Sequence, residues 1–130
     1  TKSPKQSYLQ MYPNLFSKIE LGTRTLKNRI ALPATLTNFG AGNQVTERWK
    51  NFLIQRAKGG VGLIISEIIA VDPEALAQQA IVTGFDGTNE NSFRETSEAV
   101  HKEGALLVGQ LWHPGRSTAG ASNQVANGCF

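Results

Sequence analysis

The stretch Gly59-Gly60-Val61-Gly62-Leu63-Ile64-Ile65-Ser66-Glu67 decides how this chain folds. Val61 to Ser66 is a short apolar run, rich in β-branched residues and without polar alternation, which predicts a strand buried on both faces. Burial on both faces belongs to a parallel sheet, and parallel neighbours are joined by long crossovers, usually helical. The flanking sequence supplies one on each side. Upstream, Arg29 to Pro33 reads as a short strand stopped by Pro33, which cannot donate the next ladder bond. Downstream, Leu106 to Leu111 is a second buried run, set between Gly104 and Pro114-Gly115.

Both connections carry helix signals. Thr46 is placed to cap a helix over 46–58, with Glu47 in its first turn. Trp49, Phe52, Leu53 and Ala57 fall on one face, and Gly59-Gly60 provides the left-handed stop. A second helix over 89–102 is expected to be capped by Thr88 or Asn89 and closed by Gly104. Its apolar face is thin: Phe93, Ala99 and Val100, with Thr96 between. Ile68 to Gly87 reads as a long connection with turns at Asp72-Pro73 and Asp86-Gly87. Ahead of all this, Ile19-Glu20-Leu21, Gly22-Thr23 and Thr25-Leu26-Lys27 form a hairpin signal. Residues 1–14, with Lys2 and Lys5 among Ser, Pro and Gln, read as a flexible arm, and Ser117 to Phe130 as the start of a loop.

The order hairpin, strand, helix, strand, helix, strand predicts an α/β fold with right-handed crossovers. Three strands cannot close a barrel, and an eight-stranded β/α barrel takes about 250 residues. The expectation is therefore the hairpin and about the first three βα units of a (β/α)8 TIM barrel, over 15–130, continuing past this chain or completed by another, or else a truncated open sheet. A doubly wound nucleotide-binding sheet competes. It lacks its Gly-x-Gly-x-x-Gly after the first strand, and Gly59-Gly60-Val61-Gly62 precedes the second strand instead.

Composition sets bounds. Apolar content is 40%, charged content 18% and net charge +3, a balance that fits a globular piece with a core. Dispersed basic residues argue against nucleic acid, and no apolar run reaches membrane-spanning length. The single Cys129 excludes an intrachain disulfide and fits a reducing, cytoplasmic location.

In such a sheet, chemistry gathers where strands end and loops begin. The three ends carry Pro33-Ala34-Thr35-Leu36-Thr37, then Ser66-Glu67-Ile68, then Gln110 through Arg116. The Gln110 amide is donor and acceptor at once, suited to a ring edge that presents a carbonyl beside an N–H, as a flavin or a pyrimidine does. The plainer alternative has it bonding nearby backbone. Glu67 at a buried strand end needs a partner, and capping a loop or pairing with an arginine outranks catalysis. His113 and Arg116 suit either an anion or the bracing of their own loop. Trp112 is core or pocket wall. No pair of ligand residues has metal spacing, so no metal is expected.

At these residues the chain resembles the Old Yellow Enzyme family of FMN-dependent oxidoreductases. The resemblance rests on Leu15-Phe16, on Thr25-Leu26-Lys27-Asn28-Arg29-Ile30, on Arg56 through Glu67, and on Gln110-Leu111-Trp112-His113-Pro114-Gly115-Arg116. It is closest to the branch with dienoyl-CoA reductases and amine dehydrogenases or demethylases. It implies a β/α barrel floored by the hairpin, with FMN across the carboxyl ends of the strands. Pro33, Ala34, Thr35 and Leu36 would run along the flavin, Ile68 would approach it, Gln110 would bond its pyrimidine edge, and Trp112 would line the substrate pocket. Pro33 stands one residue earlier than the family pattern, so either Thr35 or Leu36 takes the flavin-tuning place. With Leu36 there, a hydrogen bond to the flavin edge is lost. The family's substrate-anchoring histidine pair or His/Asn, its proton-donating tyrosine and its phosphate site lie in later sequence, so catalytic residues are expected beyond Phe130.

The implied activity is hydride transfer from NAD(P)H through FMN to an activated C=C bond of a small molecule. Amine oxidation is the variant within the family. A 4Fe–4S cluster and FAD enter only in a longer multidomain chain. Two readings of other classes stand beside it: a non-catalytic piece that assembles, as a homo-oligomer or with a completing chain, and an unrelated barrel such as an aldolase or hydrolase.

Overall fold

The computed structural model of the chain describes residues 11–116. Most of the arm expected over 1–14 and the loop expected from Ser117 lie outside the described residues. Within them, turns begin at Tyr12, and the Arg29 N–H donates to the Leu15 carbonyl, tying the entry segment to the start of the first sheet strand.

The hairpin forms as the sequence predicts. Strand β1 (Ile19–Leu21) pairs antiparallel with β2 (Arg24–Leu26) around Gly22, whose φ of 58° is the left-handed geometry a tight turn needs. Strand β3 (Ala31–Leu32) is shorter than the 29–33 expected, and Pro33 follows it directly. Helix α1 (Glu47–Lys58) is capped by Thr46, whose hydroxyl accepts from the Trp49 N–H. Gly60 takes the left-handed turn at φ 105° after it. Strand β4 (Leu63–Ala70) runs three residues past Glu67, so Glu67 lies inside the strand and not at its end. A short 3-10 turn (Pro73–Ala75) and a two-residue strand β5 (Val82–Thr83) break up the long connection. Helix α2 (Glu90–Lys102) and strand β6 (Leu106–Trp112) complete the described chain. No helix among the described residues is long and apolar enough to cross a membrane.

Strands β3, β5 and β6 all pair parallel to β4, as the strand–helix–strand order requires. Ile69 and Ala70 of β4 pair with Leu111 and Trp112 of β6 and also with Val82 and Thr83 of β5. Strand β5 therefore occupies the edge of β4 that β3 occupies lower down, where Ala31 and Leu32 meet Leu63 and Ile64. Between those two contacts the edge of β4 faces the loop that leaves β3.

The helices cover one face of this sheet. Trp49, Leu53 and Ala57 of α1 and Val100 of α2 pack on Ile64, Ile69 and Val82, with Leu32 and Leu107 beside them. Thr96 is buried in the thin face of α2 because its hydroxyl donates to the Ser92 carbonyl one turn back, at 2.6 Å. The other sheet face is half open. Leu63, Ile65 and Ile68 are only partly covered, so the both-sided burial expected of this run holds on its helix side alone. The burial expected of Leu106–Leu111 is likewise not found: Val108 is 44% and Leu111 73% exposed. Among the described residues no strand pairs with the outer edge of β6, and no helix follows to cover it.

Ile64 and Ile69 both sit in the helix-side core although they are five residues apart. Strict alternation would put them on opposite faces. A bulge reconciles them: the register steps from Ile65↔Val108 to Ile68↔Gln110, so Ser66 and Glu67 together oppose Gly109. The bulge turns Ile68 to the open face, where it joins Ala70 and Trp112 around Ala75 and Ile81.

Candidate functional site

The carboxyl ends of β3, β4 and β6 bring the predicted residues to one rim, and the bulge sets their alignment. Ile68 and Gln110 are register partners on adjacent strands, and parallel partners share a face. Trp112 lies one pair further on, opposite Ala70. Its ring is half-buried in the small cluster with Ala70, Ala75 and Ile81, so its observed contacts are packing ones.

Gln110 is exposed and sits two residues before the end of β6, not at its close. Its backbone N–H donates to the Ser66 hydroxyl at 3.2 Å, and that hydroxyl donates in turn to the Glu67 carbonyl at 2.8 Å. The bulge thus satisfies the ladder donor that the irregular register would leave unpaired. No hydrogen bond holds the Gln110 side-chain amide to another described residue. Among the described residues the backbone-bracing alternative is not realised, and the amide's donor and acceptor are both unpaired.

The loop after β3 runs beside them. Pro33, Thr35 and Leu36 are exposed, Ala34 and Thr37 half-buried. The Thr35 hydroxyl turns back to the Pro33 carbonyl at 3.3 Å. Thr37 is the anchor, which sequence reasoning did not single out. Its N–H and its hydroxyl each donate to one Glu67 carboxyl oxygen, both at 2.7 Å. The loop-capping role weighed for Glu67 is the one it has. The signal was an acid in an apolar strand; the partner, thirty residues earlier, carries none.

Two further arrangements escaped the sequence. Asn89 heads α2 without capping it; its buried side chain bridges loops instead. It accepts from Val45 N–H at 2.8 Å and donates to the Asn43 and Thr83 carbonyls at 3.1 and 3.0 Å. Asp72, Glu74 and His113 converge, with ligand atoms within 4.8 Å of one another, a grouping no local spacing reveals. His113 Nδ1 accepts from the Gly115 N–H at 2.9 Å, so in the neutral ring the proton is on Nε2, which faces Glu74 at 3.9 Å. Asp72 is engaged as cap of the 3-10 turn. This set reads as a brace for the β6 loop. Arg116 lies exposed at its margin.

FMN suits this rim by the chemistry of its donors. An unengaged amide lies beside a partly covered isoleucine, and an exposed loop runs along a half-open apolar sheet face.

A family model described as the NADH:flavin oxidoreductase / NADH oxidase family matches residues 14–129. The chain is 38% identical over 109 residues to an NADH oxidase of Thermoanaerobacter brockii, covering 82% of this chain and 17% of that protein. Its fold is similar to a 2-naphthoyl-CoA reductase solved with 2-naphthoyl-CoA, at a TM-score of 0.75 and 30% identity, over 82% of this chain and 16% of that one. The old yellow enzyme from Trypanosoma cruzi gives a TM-score of 0.71 at 27% identity, over 82% and 28%. The chain spans less than a third of the length of each.

Proposed function

From the premise that the chain belongs to the NADH:flavin oxidoreductase / NADH oxidase family, with the β/α-barrel fold of the old yellow enzymes, we propose a C=C reductase. The whole protein that carries this chain takes hydride from NAD(P)H and delivers it to an activated C=C bond of a small molecule. FMN, when bound, supplies the two-electron relay between them.

The residues of this chain hold and tune. The Gln110 amide would donate to a pyrimidine carbonyl of FMN and accept from its ring N–H. Ile68 and the loop Pro33, Ala34, Thr35 and Leu36 would hold the ring and exclude water from it. Trp112 would line the substrate pocket. Thr35, with its hydroxyl turned to Pro33, and Leu36, exposed beside it, are the two candidates for the place next to the ring's reactive edge. The observation that carries this reading is the unengaged Gln110 amide beside Ile68 at the carboxyl rim.

The test is purification of the whole protein, a flavin absorbance spectrum, and NADH or NADPH oxidation with an α,β-unsaturated ketone as acceptor. Bound FMN and acceptor-dependent turnover are expected. A colourless protein with no affinity for added FMN defeats the reading; bound FMN that reduces only oxygen leaves an oxidase in place of the C=C reductase.

A further inference from the structure

We propose that Glu67 is a positioning residue for the flavin-flanking loop, a role that rests on the FMN reading. Leu32, the last residue of β3, pairs with Ile64 of β4. Thr37 is held by Glu67 of the same strand, through both its N–H and its hydroxyl. The loop Pro33–Leu36 is therefore strung between two anchors on β4 that stand three residues apart. Both ends of the loop are thus set by β4.

The bulge makes the second anchor. In an unbroken strand the residue after Ser66 would face the open side of the sheet, where a carboxyl group would stand beside Ile65 while Ile68 turned to the helix side. The extra residue diverts Glu67, 5% exposed, toward Thr37 and gives the open face to Ile68. The same irregularity presents the Ser66 hydroxyl to Gln110. One bulge thus aligns the loop, Ile68 and Gln110 to each other. The anchor reaches further through Thr37, whose hydroxyl accepts from the Phe39 N–H at 3.2 Å. Phe39 is fixed in turn: its carbonyl accepts from the Thr46 hydroxyl, and its ring lies under the Arg48 guanidinium.

Both Glu67 oxygens act as acceptors, and a glutamine can keep most of that pattern. Its carbonyl accepts from the Thr37 N–H, and its NH2 donates to the Thr37 hydroxyl, which has lone pairs to receive it. Alanine keeps none of it. The experiment compares E67A, E67Q and T37V in the whole protein by amide hydrogen exchange without FMN, then by FMN titration and the visible flavin spectrum. In E67A, exchange at Thr37 should quicken and FMN binding weaken, each roughly tenfold, with a shifted flavin band. E67Q should restore all three to near wild type. T37V, which keeps the backbone donor, should quicken exchange at Phe39 and is informative even where E67A fails to fold.

Wild-type exchange at Thr37 in E67A, or at Phe39 in T37V, overturns the anchor. Faster exchange with unchanged FMN affinity and spectrum overturns its flavin role while leaving the functional reading intact. A wild-type protein that takes up no FMN overturns both, and is told apart by its own titration.

Discussion

At the scale of single residues, two amides do opposite work. Asn89 is consumed by structure: it is 3% exposed, and its one side chain satisfies Val45, Asn43 and Thr83. Asn89→Ala would strand those groups out of water, at a cost of about 1–3 kcal/mol. Urea unfolding of the whole protein should show the loss as a lower midpoint with unchanged slope. Among the described residues Gln110 is held by its backbone, with its amide unpaired. Gln110→Leu should leave the fold alone and weaken FMN binding by roughly tenfold to a hundredfold, since flavin groups would lose their partner. The flavin's reduction potential should move with it, because the bond to that edge strengthens as charge develops there. Unaltered affinity and potential would return Gln110 to a surface role.

At the scale of elements, local rules account for what sequence could foretell. Thr46 caps α1 as its position before Glu47 and Trp49 implied. Its hydroxyl also donates to Phe39, so Thr46→Ala removes both a cap and a loop tie. A loss of about 1 kcal/mol is expected from the cap alone, read as a lowered melting temperature. The parallel order of β3, β4 and β6 followed from unbroken apolar runs and the helices between them. What stayed hidden depended on distant partners. The β-branched Ile81-Val82-Thr83 is too short a run to announce a strand by itself; its ladder exists because Ile69 and Ala70 offer an edge. Nothing near Ser66-Glu67 announces a bulge, since the run reads as regular until Ile64 and Ile69 are seen on the same side. Gln110, Ile68 and the loop from Pro33, which meet at one rim, stood out in the sequence by their types and strand-end positions; Thr37 did not, because a threonine in a polar loop carries no mark of its partner. Between the helices, Lys50 of α1 is bound by Glu47 and by Glu95 of α2, and these hydrogen bonds raise its pKa above the ordinary 10.5. A raised lysine contributes stability below its unfolded value and loses it as pH climbs through the folded one. The Lys50 part of the α1–α2 contact should thus weaken as pH rises above 10.5, by no more than about 1 kcal/mol because both glutamates are exposed. Lys50→Met should flatten that alkaline limb of a stability–pH curve.

At the scale of the whole molecule, the uncovered surface governs behaviour. The sheet's open face and the outer side of β6 leave Val108 and Leu111 in solvent. A parallel edge with apolar side chains recruits another strand when none is supplied. Residues 1–130 expressed alone should associate as concentration rises, as followed by light scattering or sedimentation. A cooperative melt from a dilute, clean monomer would contradict this. The same edge in the whole protein is where further strands of the barrel would add.

The central place of β4 also has a consequence in time. One edge can be filled in part by β3, already made, but its upper end waits for β5, and the other edge waits for β6, which ends some forty residues later. At synthesis rates of about 5–20 residues per second, the most apolar strand of the chain stands half-zipped for roughly two to eight seconds. Leu63 to Ala70 is thus the segment of the nascent polypeptide with the greatest need of a chaperone's shelter, and codons that slow the ribosome between Val71 and Leu106 would lengthen that need.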